Sequence, residues 1–334
     1  MLQKRPLKKS RKHYNISTMK RYILPFFIPF KGCPFKCIYC DQVAITNEKS
    51  FDIEKRINNF YKNREDKNFK LEVAFFGGTF TLLDKKEKEK YFKKVKPFID
   101  SGKVESIRIS TRPDSFDDKE LTFLKNHDVK NIELGVQSFN NKYLKFLRRG
   151  YKKNLVLNKI SQLKKYNFKI GIQIMMGFPG QTKQEFREDV ETLISLNPYD
   201  CRIYPLTIIE GTELNRMYLN SKWNLIDVDT AVNWISRSVQ KIEKNNIEIR
   251  RIGLPHSVEL EKRVTGGIYH PSIADKIRIK ILKNKLSELK ITKNSILIVN
   301  PKDKEYVYKF SKSKKIKTDN KINRGDVFLE KDKT

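Results

Sequence analysis

The chain alternates short apolar runs with segments in which apolar residues recur at helical spacing. The runs have the length and composition of β-strands, and the intervening segments predict amphipathic helices. Six strands are predicted, at residues 22–29, 71–76, 106–111, 131–136, 169–176 and 201–206. Helices are predicted at residues 52–63, 85–97, 117–126, 142–147, 154–166, 183–196 and 228–245. Because strands that alternate with helices pair in parallel through right-handed crossovers, the pattern predicts an α/β fold, a partial (β/α)6 barrel open on one side.

The end of the chain follows a different pattern, with a turn-rich stretch, one basic amphipathic helix and several short strands. The helix is predicted at residues 272–290, and the strands at 296–299, 306–310 and 327–330. The lysine-rich connection at residues 312–321 is predicted to be solvated. The chain is therefore divided into a basic N-terminal arm at 1–19, the barrel at 20–255 and a small α/β C-terminal appendage at 256–334.

Glycines and polar side chains concentrate directly after the predicted strands. These positions are Cys33 to Cys40, Gly77-Gly78-Thr79, Ser110-Thr111-Arg112, Gln137-Ser138, Gly177 to Gly180 and Tyr204-Pro205. Barrels of alternating strands and helices form their sites at the carboxyl ends of the strands. One such loop could be an ordinary turn, but the recurrence after every strand predicts a pocket at this edge.

Cys33, Cys37 and Cys40 have the spacing C-x3-C-x2-C and follow the first predicted strand. A [4Fe-4S] cluster normally takes four thiolates, so three cysteines leave one iron open to a small molecule. A zinc site completed by His256 or His270 and a set of structural thiols are the alternatives. Disulfides are disfavoured, because the triplet is crowded and the fourth cysteine lies in a separate apolar run.

This spacing, with Tyr39 directly before the third cysteine, resembles the motif of the radical S-adenosylmethionine (SAM) superfamily. The resemblance implies a radical SAM barrel with a [4Fe-4S] cluster on Cys33, Cys37 and Cys40, whose fourth iron binds the amino and carboxylate groups of SAM. It implies reductive cleavage of SAM to a 5′-deoxyadenosyl radical, with electrons from an external donor of the flavodoxin or ferredoxin type.

The resemblance also assigns SAM contacts to the loops after the strands. The segment Gly77, Gly78 and Thr79 matches the loop that binds the amino group of SAM, and a guanidinium suits its carboxylate. Arg149 is expected to bind that carboxylate, with Arg148 as the alternative. The remaining expected contacts are Tyr39, Ser110 near the ribose, Gln137, and Met176 in an apolar wall beside the adenine. Each of these residues also has a purely structural explanation. The glycine loop fits a tight turn, the arginine pair a basic surface, and the methionines core packing.

Three further segments narrow the resemblance to the catalytic subunit of Elongator, over roughly residues 20 to 255. They are Ser110 to Asp114, Glu133 to Ser138, and Arg202-Ile-Tyr204-Pro205 continuing to Glu210-Gly211-Thr212. That family modifies wobble uridines, which implies tRNA as a partner. The cysteine spacing is shorter here, Ser110 replaces a glutamate, and residues beyond 255 lack a glycine-rich acetyl-CoA loop. The chain is therefore expected to be an acetyltransferase-free bacterial relative.

Two other functions remain open. Oxygen-independent coproporphyrinogen oxidases share the cysteine spacing and the Gly-Val-Gln and Gly-x-Pro-Gly-Gln-Thr patterns, which implies oxidoreduction of a small molecule. They carry an aromatic residue where this chain has Asp41, so RNA modification ranks first. A non-catalytic RNA-binding or metal-binding module is the third interpretation.

The formal net charge of +31 and pI near 9.8 favour a polyanionic partner such as RNA. A general excess of surface lysine is the alternative explanation. Basic clusters occur at residues 4–12, 148–149, 250–251 and 309–317. No apolar stretch is long enough to cross a membrane, and residues 1–14 lack the apolar region of a secretory signal. A cytoplasmic location is therefore expected, and the sequence does not predict an oligomeric state.

Overall fold

The computed structural model describes residues 20–34, 36–46, 51–65 and 68–330, and the predicted basic arm lies outside them. The strands are β1 (Lys20–Phe27), β2 (Phe69–Phe76), β3 (Ser106–Thr111), β4 (Val129–Gln137), β5 (Lys169–Met176), β6 (Asp200–Pro205), β7 (Thr207–Ile209), β8 (Glu248–Ile252), β9 (Val264–Gly267), β10 (Ile296–Val299), β11 (Lys315–Thr318) and β12 (Val327–Leu329). The helices are α1 (Gln42–Thr46), α2 (Ile53–Lys62), α3 (Lys85–Asp100), α4 (Asp118–Lys125), α5 (Asn141–Phe146), α6 (Lys153–Lys165), α7 (Lys183–Ser195), α8 (Glu213–Leu219), α9 (Val228–Lys244), α10 (Val258–Lys262), α11 (Ile273–Glu288) and α12 (Lys304–Phe310).

The main sheet contains seven parallel strands in the order β1-β2-β3-β4-β5-β6-β8. It curls into a half-barrel whose edges are β1 and β8. The predicted partial barrel is therefore confirmed, with one strand more than the six expected. The pattern did not predict β8 because three of its five residues are charged, which hides the apolar alternation of a strand.

Helices cover the outer face of the sheet and enclose the main hydrophobic core with it. Side-chain caps fix several helix starts: Asp52 accepts from the Lys55 backbone N–H, and Thr182 forms a capping box with Glu185. Each predicted helix begins within one residue of its expected position, whereas the short helices α1, α8 and α10 were not predicted. Helix α3 continues past Pro97 to Asp100, because the residues that follow the proline still pack against the core.

The inner face of the half-barrel carries a layer of buried charges. The Arg108 guanidinium contacts Glu72 Oε2 at 2.7 Å, Glu133 Oε2 at 3.2 Å and Asp200 Oδ2 at 2.6 Å. Arg202 Nε lies 3.1 Å from the same Glu133 oxygen. Buried charges are tolerated when each has an opposite partner, and this layer provides one for each carboxylate.

Near the end of the described residues, a three-stranded sheet in the order β11-β10-β12 packs against α11 and α12. One expectation for this region was wrong. The strand predicted at residues 306–310 is part of the helix α12, in which only Val307 is buried. A capped turn at Pro301–Asp303 leads into this helix. The connection at residues 312–321 is mostly exposed, as expected, but it contains the strand β11, which was not predicted and pairs in parallel with β10.

Among the described residues, none of the helices combines the length and the hydropathy that crossing a bilayer requires.

Candidate functional site

A cavity of about 710 Å³ lies inside the half-barrel and reaches the carboxyl ends of its strands. The cysteine loop after β1 and the glycine loop after β2 form part of its wall, together with residues from β3, β4, β5, β6 and β8. Ten of the predicted site residues line it: Cys33, Cys37, Tyr39, Cys40, Gly77, Gly78, Thr79, Ser110, Gln137 and Arg149. The fold thus brings together side chains that lie far apart in the sequence.

The cysteine triplet has polar and cationic neighbours in this cavity. Cys33 Sγ lies 3.5 Å from the Thr79 hydroxyl, and Cys37 Sγ accepts a hydrogen bond from Arg149 Nη1 at 3.0 Å. Burial raises the pKa of the Cys40 thiol to about 12, and the nearby Cys37 acts in the same direction. Metal binding requires loss of the thiol proton, and a cation beside the sulfur favours the thiolate. Cys201, in contrast, is fully buried in the main core.

The donor set consists of three cysteine thiols, the ligand type of iron–sulfur clusters. Zinc ligands converge on one ion, and no three His, Cys, Asp or Glu side chains of the described residues are grouped in this way. His256 Nδ1 lies 3.1 Å from the Tyr269 hydroxyl, and His270 Nδ1 accepts from the Ser272 N–H at 3.0 Å. The thiols of a cubane cluster bind different irons, so they need not converge on one point.

Gln42 connects the cysteine loop to the glycine loop, a role that the sequence did not indicate. Its Oε1 accepts from the Phe30 N–H at 2.6 Å and from the Gly78 N–H at 2.8 Å. Gly78 has a φ of 63°, and a Cβ on it would lie 2.2 Å from the Lys31 carbonyl oxygen. Only glycine allows the two loops to approach this closely. The Thr79 N–H also donates to the Lys31 carbonyl oxygen, at 2.8 Å.

Arg149 faces the cavity, and its neighbour Arg148 does not. Arg149 is buried, and its Nε donates to the Tyr151 hydroxyl at 2.9 Å. Its Nη1 also lies 3.5 Å from the hydroxyl of Tyr39, whose pKa is raised well above its ordinary value by burial. The Arg148 side chain is 60% exposed and pairs with Glu213 at 2.9 Å.

Arg112 is a second cation beside the cysteines. Its Nη1 lies 3.9 Å from Cys37 Sγ, and its guanidinium binds Asp114 through two hydrogen bonds of 2.9 and 2.8 Å. Arg112 belongs to one of the loops that predicted the pocket, but no specific contact was expected of it. Two N–H groups of one planar guanidinium that bond to the same carboxylate fix the orientation of the arginine.

Gln137 occupies the end of β4 with a left-handed φ of 74° and lines the cavity. The loop that follows is held by Asp189 of α7, which accepts from the Ser138 hydroxyl at 2.6 Å and from the Phe139 N–H at 2.8 Å. Burial raises the pKa of Asp189 to about 6. Asp189 was not indicated by the sequence, because nothing in an amphipathic helix marks one buried carboxylate.

Met176 does not have the expected environment. It is fully buried in the main core, whereas the preceding residue, Met175, lines the cavity. Successive side chains on a strand point to opposite faces, so the two methionines cannot both face the barrel interior. Met175 therefore replaces Met176 as the apolar cavity residue of β5.

Fold and site together describe an α/β half-barrel with three cysteines in its cavity. The family model of the Radical SAM superfamily matches residues 27–193, half of the chain, and the protein belongs to this superfamily. The model described as the Radical_SAM C-terminal domain matches residues 198–286. The chain is thus a radical SAM enzyme, and the chemistry of its family uses a [4Fe-4S] cluster and SAM.

Several known proteins are similar to this chain. An uncharacterised protein of Methanocaldococcus jannaschii is 26% identical and covers 77% of this chain and 81% of its own. The heme chaperone HemW of Buchnera aphidicola is 28% identical over 59% of this chain and 54% of its own. The tRNA uridine(34) acetyltransferase of Methanocaldococcus infernus is 27% identical over 50% of this chain and 35% of its own.

The structure of Elp3 from Methanocaldococcus infernus has the same fold, with a TM-score of 0.64 and 19% identity. The match covers 80% of this chain and 64% of Elp3. The Elongator-like resemblance is therefore confirmed at the level of the fold. This chain spans about half of HemW and a third of the acetyltransferase, so the activities of those whole proteins do not transfer to it directly.

Proposed function

We propose that this enzyme modifies RNA, with tRNA as the substrate. The observation that carries the enzyme chemistry is the single cavity that joins Cys33, Cys37 and Cys40 to the glycine loop. Support for tRNA comes from the resemblance to the Elongator subunit, the tRNA uridine(34) acetyltransferase relatives and the net charge of +31.

In this proposal Cys33, Cys37 and Cys40 hold a [4Fe-4S] cluster, and SAM lies beside it. When bound, the two cofactors supply reductive cleavage of SAM to a 5′-deoxyadenosyl radical. Arg149 binds the SAM carboxylate, and the loop of Gly77, Gly78 and Thr79 presents backbone groups to the amino group. The list of proposed SAM contacts is completed by Tyr39, Ser110, Gln137 and Met175. An external flavodoxin- or ferredoxin-type protein donates the electron.

The test compares modified nucleosides in total tRNA from a deletion strain carrying different copies of the gene. We expect one modified nucleoside to disappear on deletion and to return with the wild-type gene or with Cys201→Ala. Cys37→Ala should not restore it, because the cluster would lose a ligand. Anaerobically reconstituted protein should carry about four irons per chain, and Cys37→Ala should lose them. A tRNA nucleoside profile that is unchanged on deletion would contradict the RNA proposal but not the radical SAM chemistry.

A small-molecule substrate is the second candidate. The heme chaperone relatives and the shared motifs of the coproporphyrinogen oxidases favour it. An unchanged tRNA profile together with SAM cleavage by the purified protein would support this candidate.

A further inference from the structure

The cavity wall carries cations and, among its described residues, no carboxylate. The cations are Arg21, Lys36, Arg112, Arg149, Arg202, Arg250 and Arg251. Arg112 and Arg149 lie beside the Cys37 thiol, which becomes anionic when it binds a metal. Arg202 and Arg250 are compensated from behind the wall: Arg202 pairs with Glu133, and Arg250 Nε lies 3.1 Å from Asp200. Arg251 has no acidic partner among the described residues, and it is exposed.

A β-bulge explains why two consecutive arginines of β8 both line the cavity. The register with β6 pairs Cys201 with Ile249 but Arg202 with Arg251, so Arg250 is the extra residue. Strand alternation alone would place these two arginines on opposite faces, and bulges at sheet edges redirect side chains. The bulge aligns Arg251 with Arg202 on the inner face, while Arg250 reaches Asp200 and Glu248.

Arg251 therefore lies at the open edge of the half-barrel, on the same cavity wall as Arg202 and Arg250. Across the opening, the edge strand β1 contributes Arg21, whose guanidinium pairs with the half-exposed Glu105 at 3.1 Å. Partly exposed ion pairs of this kind contribute little to stability. Arg251 is the cation of this group that no carboxylate of the described residues compensates, and an uncompensated cation on a cavity wall favours binding of an anionic group.

Aromatic rings stand beside these cations on the same wall. Phe27 of β1 and Phe76 of β2 both line the cavity, with ring centroids 6.1 Å apart. The Arg202 guanidinium lies over the Phe76 ring at 4.4 Å, and Tyr204 lines the cavity next to it. Flat apolar surfaces beside guanidinium groups suit a nucleobase joined to a phosphate.

We propose that the open edge between β1 and β8 is a nucleotide-binding subsite in which Arg251 binds a backbone phosphate of the RNA substrate. The base of that nucleotide lies against the aromatic wall of Phe27 and Phe76. This inference rests on the proposed RNA function and assigns to one side chain a contact that the family comparison does not give. Arg250 is excluded from this role because Asp200 and Glu248 already hold it.

The test measures binding of total tRNA to full-length protein at several salt concentrations. Arg251→Gln should weaken binding about tenfold at low salt and reduce the slope of log K against log salt by about one, because one phosphate contact is lost. Arg251→Lys keeps the charge and should keep the slope. Arg237→Gln is the matched control: it removes an exposed arginine from the outer helix α9 and should leave both quantities unchanged.

Several outcomes would overturn the inference. One is an Arg251→Gln protein with the wild-type affinity and salt slope. A second is equal weakening by Arg237→Gln, which would indicate a general charge effect. A third is an equal loss of heparin binding on Arg251→Gln, which would show that the arginine does not select nucleotides. Failure of the proposed function looks different: the wild-type protein itself would then bind tRNA no better than heparin.

Discussion

Arg148 and Arg149 are adjacent in the sequence but occupy different environments, and the backbone explains the difference. Helix α5 ends before Leu147, and Arg148 adopts a left-handed φ of 54°. The Arg149 N–H then bonds to the Leu144 carbonyl oxygen at 3.0 Å. A left-handed residue after a helix reverses the chain direction. The turn therefore leaves Arg148 at the surface beside Glu213 and directs Arg149 into the barrel.

Arg149→Ala should weaken SAM binding to reconstituted protein by about 1.5–3 kcal/mol, because a charge-assisted contact to the carboxylate is lost. Equilibrium dialysis with labelled SAM measures the change. Arg148→Ala is the control and should have no effect, since its guanidinium pairs with Glu213 at the surface. The reverse result would show that the other arginine of the pair binds SAM.

Single residues of the site could be predicted from the sequence only where their chemistry is local. The cysteine spacing identified all three thiols, and the glycine loop was identified by its position after a strand. The assignment of Met176 to the cavity was wrong. A strand sequence reveals that side chains alternate between two faces but not which face is which, and a one-residue error places a side chain on the other face. Gln42 and Asp189 act through contacts 36 and 51 residues away, which no local pattern records.

The cysteine loop and the glycine loop form one unit because Gln42 accepts hydrogen bonds from both. Gln42 also bonds to the Cys40 thiol and lowers its pKa against the larger effect of burial. A cluster ligand on a loop needs such support to stay in place. Gln42 is therefore a positioning residue for the cluster rather than a ligand.

Gln42→Ala should leave two backbone N–H groups without their acceptor and cost about 1–3 kcal/mol in the free energy of unfolding. We also expect faster loss of iron from the reconstituted protein during anaerobic gel filtration. The control is Gln184→Ala on the exposed face of α7, which removes only a bond to Glu188. Wild-type iron retention in the Gln42 variant would show that the cysteine loop holds the cluster without this connection.

At the scale of helices and strands, prediction was most accurate where the apolar pattern was strong. Strand β5 has the predicted bounds, because its residues are apolar and its neighbours are helices. Strand β8 was not predicted, because its charged residues hide the apolar pattern of a strand. In the structure, Arg250 of this strand pairs with the buried Asp200. The helix α12 was mistaken for a strand, because its run of aromatic and β-branched residues also fits strand propensity.

For the whole molecule, the net charge of +31 and the paired charges of the buried layer describe different regions. Inside the barrel, Arg108, Arg202 and Arg250 are matched by Glu72, Glu133 and Asp200. The excess of positive charge therefore lies outside this layer. The sequence could indicate the excess but not the layer, since its members come from five strands and meet only when the sheet curls.

Arg108 joins three carboxylates of this layer, so its loss should affect the stability of the whole barrel. Arg108→Met keeps the approximate volume but leaves Glu72 without its guanidinium, while Glu133 and Asp200 retain only Arg202 and Arg250. Removing one partner of a buried ion pair costs about 3–5 kcal/mol. In urea unfolding, the free energy of unfolding in water should fall by this amount. The midpoint should move to a lower urea concentration while the slope m stays unchanged.

The comparison that isolates burial is Arg187→Met, which breaks the exposed pair with Glu191 on α7. Its side chain is 64% exposed, against 1% for Arg108, and exposed pairs of this type contribute about 0–1 kcal/mol. A loss below about 1 kcal/mol in both variants would mean that water or a rearranged neighbour compensates the buried carboxylates. A large loss at Arg108 alone would show that the buried charged layer stabilises the half-barrel, because its carboxylates cannot lose their guanidinium partner without cost.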